Sequence, residues 1–437
     1  MKKRHIFGAA ALAAGAVALL GGILAGSPST GSASGTRPDV AAGLLLNGFA
    51  VGDTTAYVAQ LERRVEASPE DAEGLTLLGL GYQQRARETG DPTFYPRAEE
   101  ALRRSHELAP DDDLAVTGLA ALAASRHRFS DARRLARHAI ELNSYSAAAL
   151  GILGDALVQT GRYEAAFAAF DRMAAVKPTA AAYARISYAR ELLGRTGAAV
   201  EAMKQAVSAA AARSEPAAWS LVELGNLYFN SGRLRPAERA YRAALARFPD
   251  YHRAVAALAR VEAARGRTDQ AVTLYRRALE AVPLPEYAAS LGETLAAAGR
   301  DAEAAEAYEV VDVMQRLFEA NGARTELETA LVDLDRNVNV ADALARAREA
   351  FAERRSIEAE DVLAWALFRN GECDKALLHS RRALRLGTRD APKLFHRGMI
   401  ERCLGRSQAA RATFAEALAV NPYFSPRWTP VAREAAR

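Results

Sequence analysis

The sequence predicts an all-α chain built as a solenoid of stacked helix pairs, and three observations carry that expectation. Ala recurs at Ala98, Ala132, Ala166, Ala199, Ala237, Ala271, Ala304, Ala343, Ala376 and Ala410, with most intervals 33 or 34 residues. A Gly-Arg pair precedes many of them, at Gly161, Gly194, Gly232, Gly266, Gly299 and Gly405. Between these landmarks the chain keeps a helical spacing of apolar residues and offers few strand-forming runs. A fixed period of this length is the signature of a repeat architecture.

Each element of the repeat has a physical reason. The first helix carries a Leu-Gly pair, as at Leu78-Gly79, Leu153-Gly154, Leu224-Gly225 and Leu291-Gly292. Gly there lets a neighbouring backbone come close. The Gly of the Gly-Arg turn ends the first helix in a left-handed cap. Four residues after the recurring Ala stands a large apolar residue in most units: Leu102, Phe170, Met203, Tyr241, Tyr275, Tyr308 and Phe414. It fills the space between units. Seven residues after the Ala the chain is again small, and twelve after it Pro is frequent, at Pro110, Pro178, Pro249, Pro283 and Pro422. One helix pair cannot bury its apolar face alone, so neighbours must stack.

These landmarks resemble the tetratricopeptide repeat family. The resemblance covers residues 72–422, about ten units, preceded by a half-repeat or capping helix over 53–70 and followed by a capping tail, 423–437. It implies a right-handed superhelical α-solenoid with a concave groove lined by the first helices. Three places break the rhythm. Two prolines around Gly90–Pro96 predict a projecting loop, whose Phe94 and Tyr95 are expected to fold back onto the first unit. The step from Ala199 to Ala237 predicts a second helix running on to Ala212. The step from Ala304 to Ala343 predicts a long helix from Asp301 to about Asn321.

The N-terminus is different in kind. Lys2, Lys3 and Arg4 precede an uncharged run, Ile6–Gly26, and then a small, polar stretch to residue 36. That order is a secretory signal or an N-terminal membrane anchor. In both cases the basic flank puts the remainder outside the cytoplasmic membrane, secreted or anchored, with membrane contact only through Ile6–Gly26 if it is uncleaved. Without those three N-terminal charges, 54 basic residues face 53 acidic ones. A nearly neutral body argues against nucleic acid as the partner, which needs a clustered basic face.

No P-loop, nucleophile elbow, zinc-helix motif or dinucleotide fingerprint occurs, so no catalytic residue, metal ligand or cofactor is assigned. The groove is the better target. The family's concave positions, carried onto this sequence, are Tyr188, Glu191, Trp219, Asn226, Phe229, Asn230, Arg260 and Glu293. A second patch holds Trp365, Phe368, Arg369, Phe395 and Met399. Aromatics beside amides and Arg suit an extended or helical peptide. Asn226 matches one asparagine of the carboxylate clamp found in the co-chaperone branch, but Val222 stands where that clamp needs a base. The expectation is a non-catalytic scaffold for a protein or peptide partner. The alternative is an accessory protein holding a glycan or lipid.

Cys373 opens the second helix of one unit and Cys403 closes the first helix of the next, so the repeat makes their ends neighbours. A disulfide is plausible in an exported protein, and two inert buried thiols are the other possibility. A free-thiol count on the denatured, unreduced, exported protein decides: a bridge leaves none, and two reactive thiols would exclude it.

Overall fold

The computed structural model describes residues 38–437, and the leader expected over 1–36 lies outside them. The described residues form 23 α-helices and no strands. Twenty of them make ten antiparallel pairs, each first helix packing mainly on its own second helix. Units 1 to 5 are Ala72–Thr89 with Phe94–Leu108, Asp113–Ser125 with Phe129–Leu142, Ala147–Gln159 with Tyr163–Val176, Ala180–Leu192 with Thr196–Ala209, and Glu215–Asn230 with Leu234–Arg247. Units 6 to 10 are His252–Ala264 with Thr268–Ala281, Pro285–Ala297 with Asp301–Ala320, Glu326–Arg336 with Val340–Glu353, Ile357–Arg369 with Cys373–Ala383, and Ala391–Cys403 with Ser407–Val420. Pro38–Leu46 and Thr54–Ala67 precede them, and Trp428–Ala435 follows.

Local chemistry accounts for the boundaries. Side chains of Asp71, Asp112, Ser146, Thr179, Ser214, Ser356 and Asp390 accept hydrogen bonds from the first backbone amides of the first helices, satisfying donors the helix itself cannot. At the other end, Gly161 has φ +74°. The following amide, that of Arg162, donates back to the Leu157 carbonyl at 2.8 Å, closing a Schellman cap. In unit 2 His127 takes this left-handed position, and in unit 8 Asn337 does.

The core is a chain of small-against-large contacts. The recurring alanines are almost all completely buried, and Phe170, Tyr241 and Phe414 are buried with them. Each of these rings lies against a first-helix glycine: Phe170 on Gly154, Tyr241 on Gly225 and Phe414 on Gly398. A disulfide joins Cys373 to Cys403, with their Cα atoms 6.3 Å apart. Closing a 30-residue loop is worth about 3–4 kcal/mol in the chain-entropy account.

Two expectations need correction, and one helix is additional. The segment Gly90–Pro96 is not a projecting loop. The second helix already begins at Phe94, and Pro96 sits in its first turn, where a missing N–H costs nothing. Phe94 does fold back, stacking on Tyr82 with centroids 6.0 Å apart. The second helix of unit 4 stops at Ala209 rather than Ala212, and the extra residues form a connector and a longer first helix in unit 5. Finally, Pro38–Leu46 is a helix with no counterpart in the sequence reading.

The solenoid coils tightly enough that successive turns of the superhelix touch. The Arg324 amide donates to the Arg126 carbonyl at 3.1 Å, and His127 Nδ1 meets the Arg324 carbonyl at 2.8 Å. The Ile357 amide donates to the Tyr163 hydroxyl at 2.7 Å, and Thr388 Oγ1 donates to the Leu192 carbonyl. The last three of these contacts join residues 194 to 197 apart in sequence, so the helix-to-helix turn of each early unit rests on a connector between units met later in the chain.

Two substitutions separate the roles of glycine. A Cβ at Gly398 would stand 2.6 Å from Phe414, so Gly398→Ala should lower the melting temperature, overpacking costing about 1–3 kcal/mol. A Cβ at Gly197 meets nothing. Gly197→Ala should therefore raise the melting temperature through the helix propensity it adds, up to about 1 kcal/mol.

Candidate functional site

The inner face of the coil is where the first helices converge, and the expected groove residues divide into two sets there. Asn226 with Arg260 and Glu191 with Asn230 form two separate hydrogen-bonded polar groups. The Tyr241 hydroxyl donates to Asn226 Oδ1 at 2.9 Å, and Arg260 donates to the same oxygen at 2.7 Å. Asn230 donates to Glu191 at 3.3 Å. Tyr188 is half-buried, its hydroxyl pushed well above the usual tyrosine range by burial and by the nearby Glu358.

The aromatics are placed differently from the expectation. Trp219, Phe229, Trp365 and Phe395 are buried, not open groove residues. Phe229 lies beneath the Arg260 guanidinium, 4.1 Å from its ring centre. Trp365 is sandwiched, with His396 stacked 4.3 Å and Phe368 4.9 Å from its centroid, and its indole N–H donates to Asp335 at 3.0 Å. Phe368 and Arg369 keep partial exposure, whereas Met399 is buried.

For Trp219, Trp365 and Phe395 the physical reason is that both ends of the described chain fold onto the inner face. Leu44 and Phe49 pack into the cluster around Trp219, with Phe49 edge-on to the indole at 6.5 Å. The Ala50 amide donates to Glu215 at 3.2 Å, and Arg87 donates to the Leu45 carbonyl at 2.9 Å. At the other end, Ser425 Oγ donates to Glu293 at 2.5 Å, across 132 residues. Trp428 stacks on Phe395 at 5.4 Å and meets Trp365 edge-on at 6.2 Å. Sequence reasoning missed the contributions of residues 44–50. The apolar run after Pro38 was the available signal.

Buried carboxyls mark the same surface. Glu191, Glu286 and Glu293 each retain some solvent contact, yet they are hemmed in by protein on the inside of the coil. That burial pushes all three carboxyls up to about 7. The hydrogen bond from Asn230 opposes the shift at Glu191, as the bond from Ser425 does at Glu293 and the charge of Arg253 at Glu286. Burial holds His252, whose Nδ1 meets the Tyr287 hydroxyl at 2.8 Å, down at about 3. Among the described residues no cluster of three or more His, Cys, Asp or Glu is arranged to hold a metal ion. No described helix is long and apolar enough to cross a membrane.

A family model described as Tetratricopeptide repeat matches residues 117–181, 222–284 and 257–315, and a second of the same description matches 180–213. The matched stretches coincide with the helix pairs of units 2 to 7, and the remaining pairs repeat the same landmarks. The chain is a tetratricopeptide repeat protein. Solved structures similar to this tetratricopeptide repeat solenoid include the human IFIT1 dimer with m7Gppp-AAAA, at 15% identity over 76% of this chain and 77% of that one, with a TM-score of 0.48. The Cut9–Hcn1 hetero-tetramer of the APC/C matches at 15% identity over 92% and 90%, with a TM-score of 0.40. TTC0263 of Thermus thermophilus, described as a thermophilic TPR protein, matches at 22% identity over 43% and 98%, with a TM-score of 0.38. No curated protein matches the chain significantly.

The carboxyl of Glu286 gives a pH test. Its folded-state pKa lies above the ordinary value of 4.5, so the fold binds that proton more tightly than the unfolded chain does. The associated stability is present below about pH 4.5 and lost as pH rises through about 7. Glu286→Gln should therefore raise the melting temperature at pH 8 more than at pH 5. An equal effect at both would remove Glu286 from the pH dependence.

Proposed function

We propose that this tetratricopeptide repeat protein is a non-catalytic protein–protein interaction scaffold acting outside the cytoplasmic membrane, holding partner segments on its concave face. One observation carries the reading. The inner face already holds non-repeat segments of its own chain, at residues 44–50 and 425–428, using aromatic contacts and side-chain hydrogen bonds of the kind that secure a peptide. A surface that seats chain segments in cis has the chemistry to seat them in trans.

The extracytoplasmic part rests on the leader. The basic cap, the apolar run Ile6–Gly26 and the polar stretch after it support export. The Cys373–Cys403 bridge supports an oxidising compartment.

Two measurements test the proposal. Affinity capture from intact cell envelope, followed by mass spectrometry, should return protein partners, and Asn226→Ala with Arg260→Ala should lose them while keeping the helical circular-dichroism signal. Retention of every partner by a folded double variant would count against the concave face. A reporter enzyme that needs oxidising conditions, fused after Arg437, should be active, and its inactivity would refute export.

A further inference from the structure

The tail Tyr423–Trp428 does more than close the last unit. A plain cap would sit on unit 10 alone. This one leaves unit 10 and crosses the inner face, donating from Ser425 to Glu293 of unit 7 and placing Trp428 against Trp365 of unit 9 and Phe395 of unit 10. Arg427 follows it over, its guanidinium 4.8 Å from the Trp428 ring. There its charge steadies the carboxylates of Glu293 and Asp335. Within four residues the tail therefore supplies a hydroxyl donor, a cation and an indole to one acidic, aromatic-floored patch.

Its seat is imperfect in ways a permanent part of a core avoids. Trp428 Nε1 is buried with no acceptor, and so are Arg369 Nε and Nη2 beneath it. Buried donors left unpaired have given up water without replacement. Two guanidinium groups, Arg369 and Arg427, crowd the same indole at 5.3 and 4.8 Å, so like charges share one ring. One flank of the tail borders open space. An open notch of about 420 Å³ separates Tyr423, Thr429 and Arg433 from Gly266, Thr294 and Ala298 of units 6 and 7.

We infer that the patch formed by Glu293, Asp335, Trp365, Arg369 and Phe395 is a peptide-binding site whose resident occupant is the chain's own tail, and that its partner in trans is a segment of the same chemistry: a hydroxyl, a basic residue and an aromatic anchor in close succession. The inference deepens the scaffold reading and rests on it for the existence of an outside partner. The patch explains the three features demanded of that partner. Glu293 and Asp335 are half-buried carboxyls that gain from a donor and a cation. Phe395 and Trp365 give an aromatic floor, on which an indole is worth more than an aliphatic side chain. The tail, tethered beside its seat, competes at an effective concentration that no free peptide matches at ordinary levels.

The test uses the full chain and a fluorescein-labelled peptide copying residues 421–432, with binding followed by anisotropy. Trp428→Ala should bind the peptide at least about tenfold more tightly than wild type, since a tether of this length masks a site at about millimolar effective concentration. The same Trp-to-Ala change placed in the peptide should abolish that gain. Equal affinity of wild type and variant, or no binding by a folded variant, overturns the inference. Ser425→Ala is milder, removing only the Glu293 bond and the start of the last helix. It should shift affinity in the same direction, and no shift is equally fatal. If neither variant folds by circular dichroism, the tail belongs to the fold and the inference falls. Because this assay needs no outside protein, peptide binding together with an empty envelope capture would count against the scaffold reading alone.

Discussion

The close approach of a first-helix glycine to a second-helix ring is the contact on which the rest of the molecule is built. At Gly154, Gly225, Gly292 and Gly398 there is no room for a Cβ, because Phe170, Tyr241, Tyr308 and Phe414 occupy it. That contact fixes how far apart the helices of a unit lie. The fully buried alanines fix how closely the next unit follows. Small-against-large contacts of this kind, recurring along the ten units, leave little freedom in the coil, so its pitch is a property of small side chains rather than of any single strong bond. Burial of apolar surface drives the stacking, but steric fit decides its geometry.

The consequence of that pitch is a crowded interior. Turns of the coil meet, and the inner face becomes a space into which both ends of the described chain insert. Polar groups brought inside are then paired where partners exist: Arg185 with Asp155 at 2.7 Å, Lys393 with Asp390 at 2.7 Å, His396 with Asp361 at 2.9 Å. Pairs of this kind, hidden from water, are costly to break singly. The carboxyls of Glu286 and Glu293, with no such full partner, shift toward the protonated form instead. Structure and titration thus have one cause.

Most of the fold was legible in the sequence, because its determinants are short-range. The Gly-Arg turns, the small residues and the ring four positions after each Ala lie within one unit, and the ten pairs follow from them. The neighbouring cysteines were legible for the same reason. The state of the groove was not. Whether Trp219 or Trp365 faces a partner depends on contacts such as Phe49 to Trp219 and Ser425 to Glu293, which span more than a hundred residues and arise only once the pitch is set. A ring at a groove position and a ring under a tail have the same local sequence. The misplaced loop at Gly90–Pro96 is a smaller case: proline forbids a helix interior, but not the first turn in which Pro96 stands.

The contacts between residues nearly two hundred apart give the molecule a mechanical character that an open array of helix pairs lacks. A solenoid joined only to its nearest neighbours stretches by small changes at every joint, like a loose spring. Here the coils already touch, through Arg126 and Arg324, Tyr163 and Ile357, Leu192 and Thr388. Extension along the axis must first part these backbone-mediated links, so the spring is stiff at small loads and softens once they open.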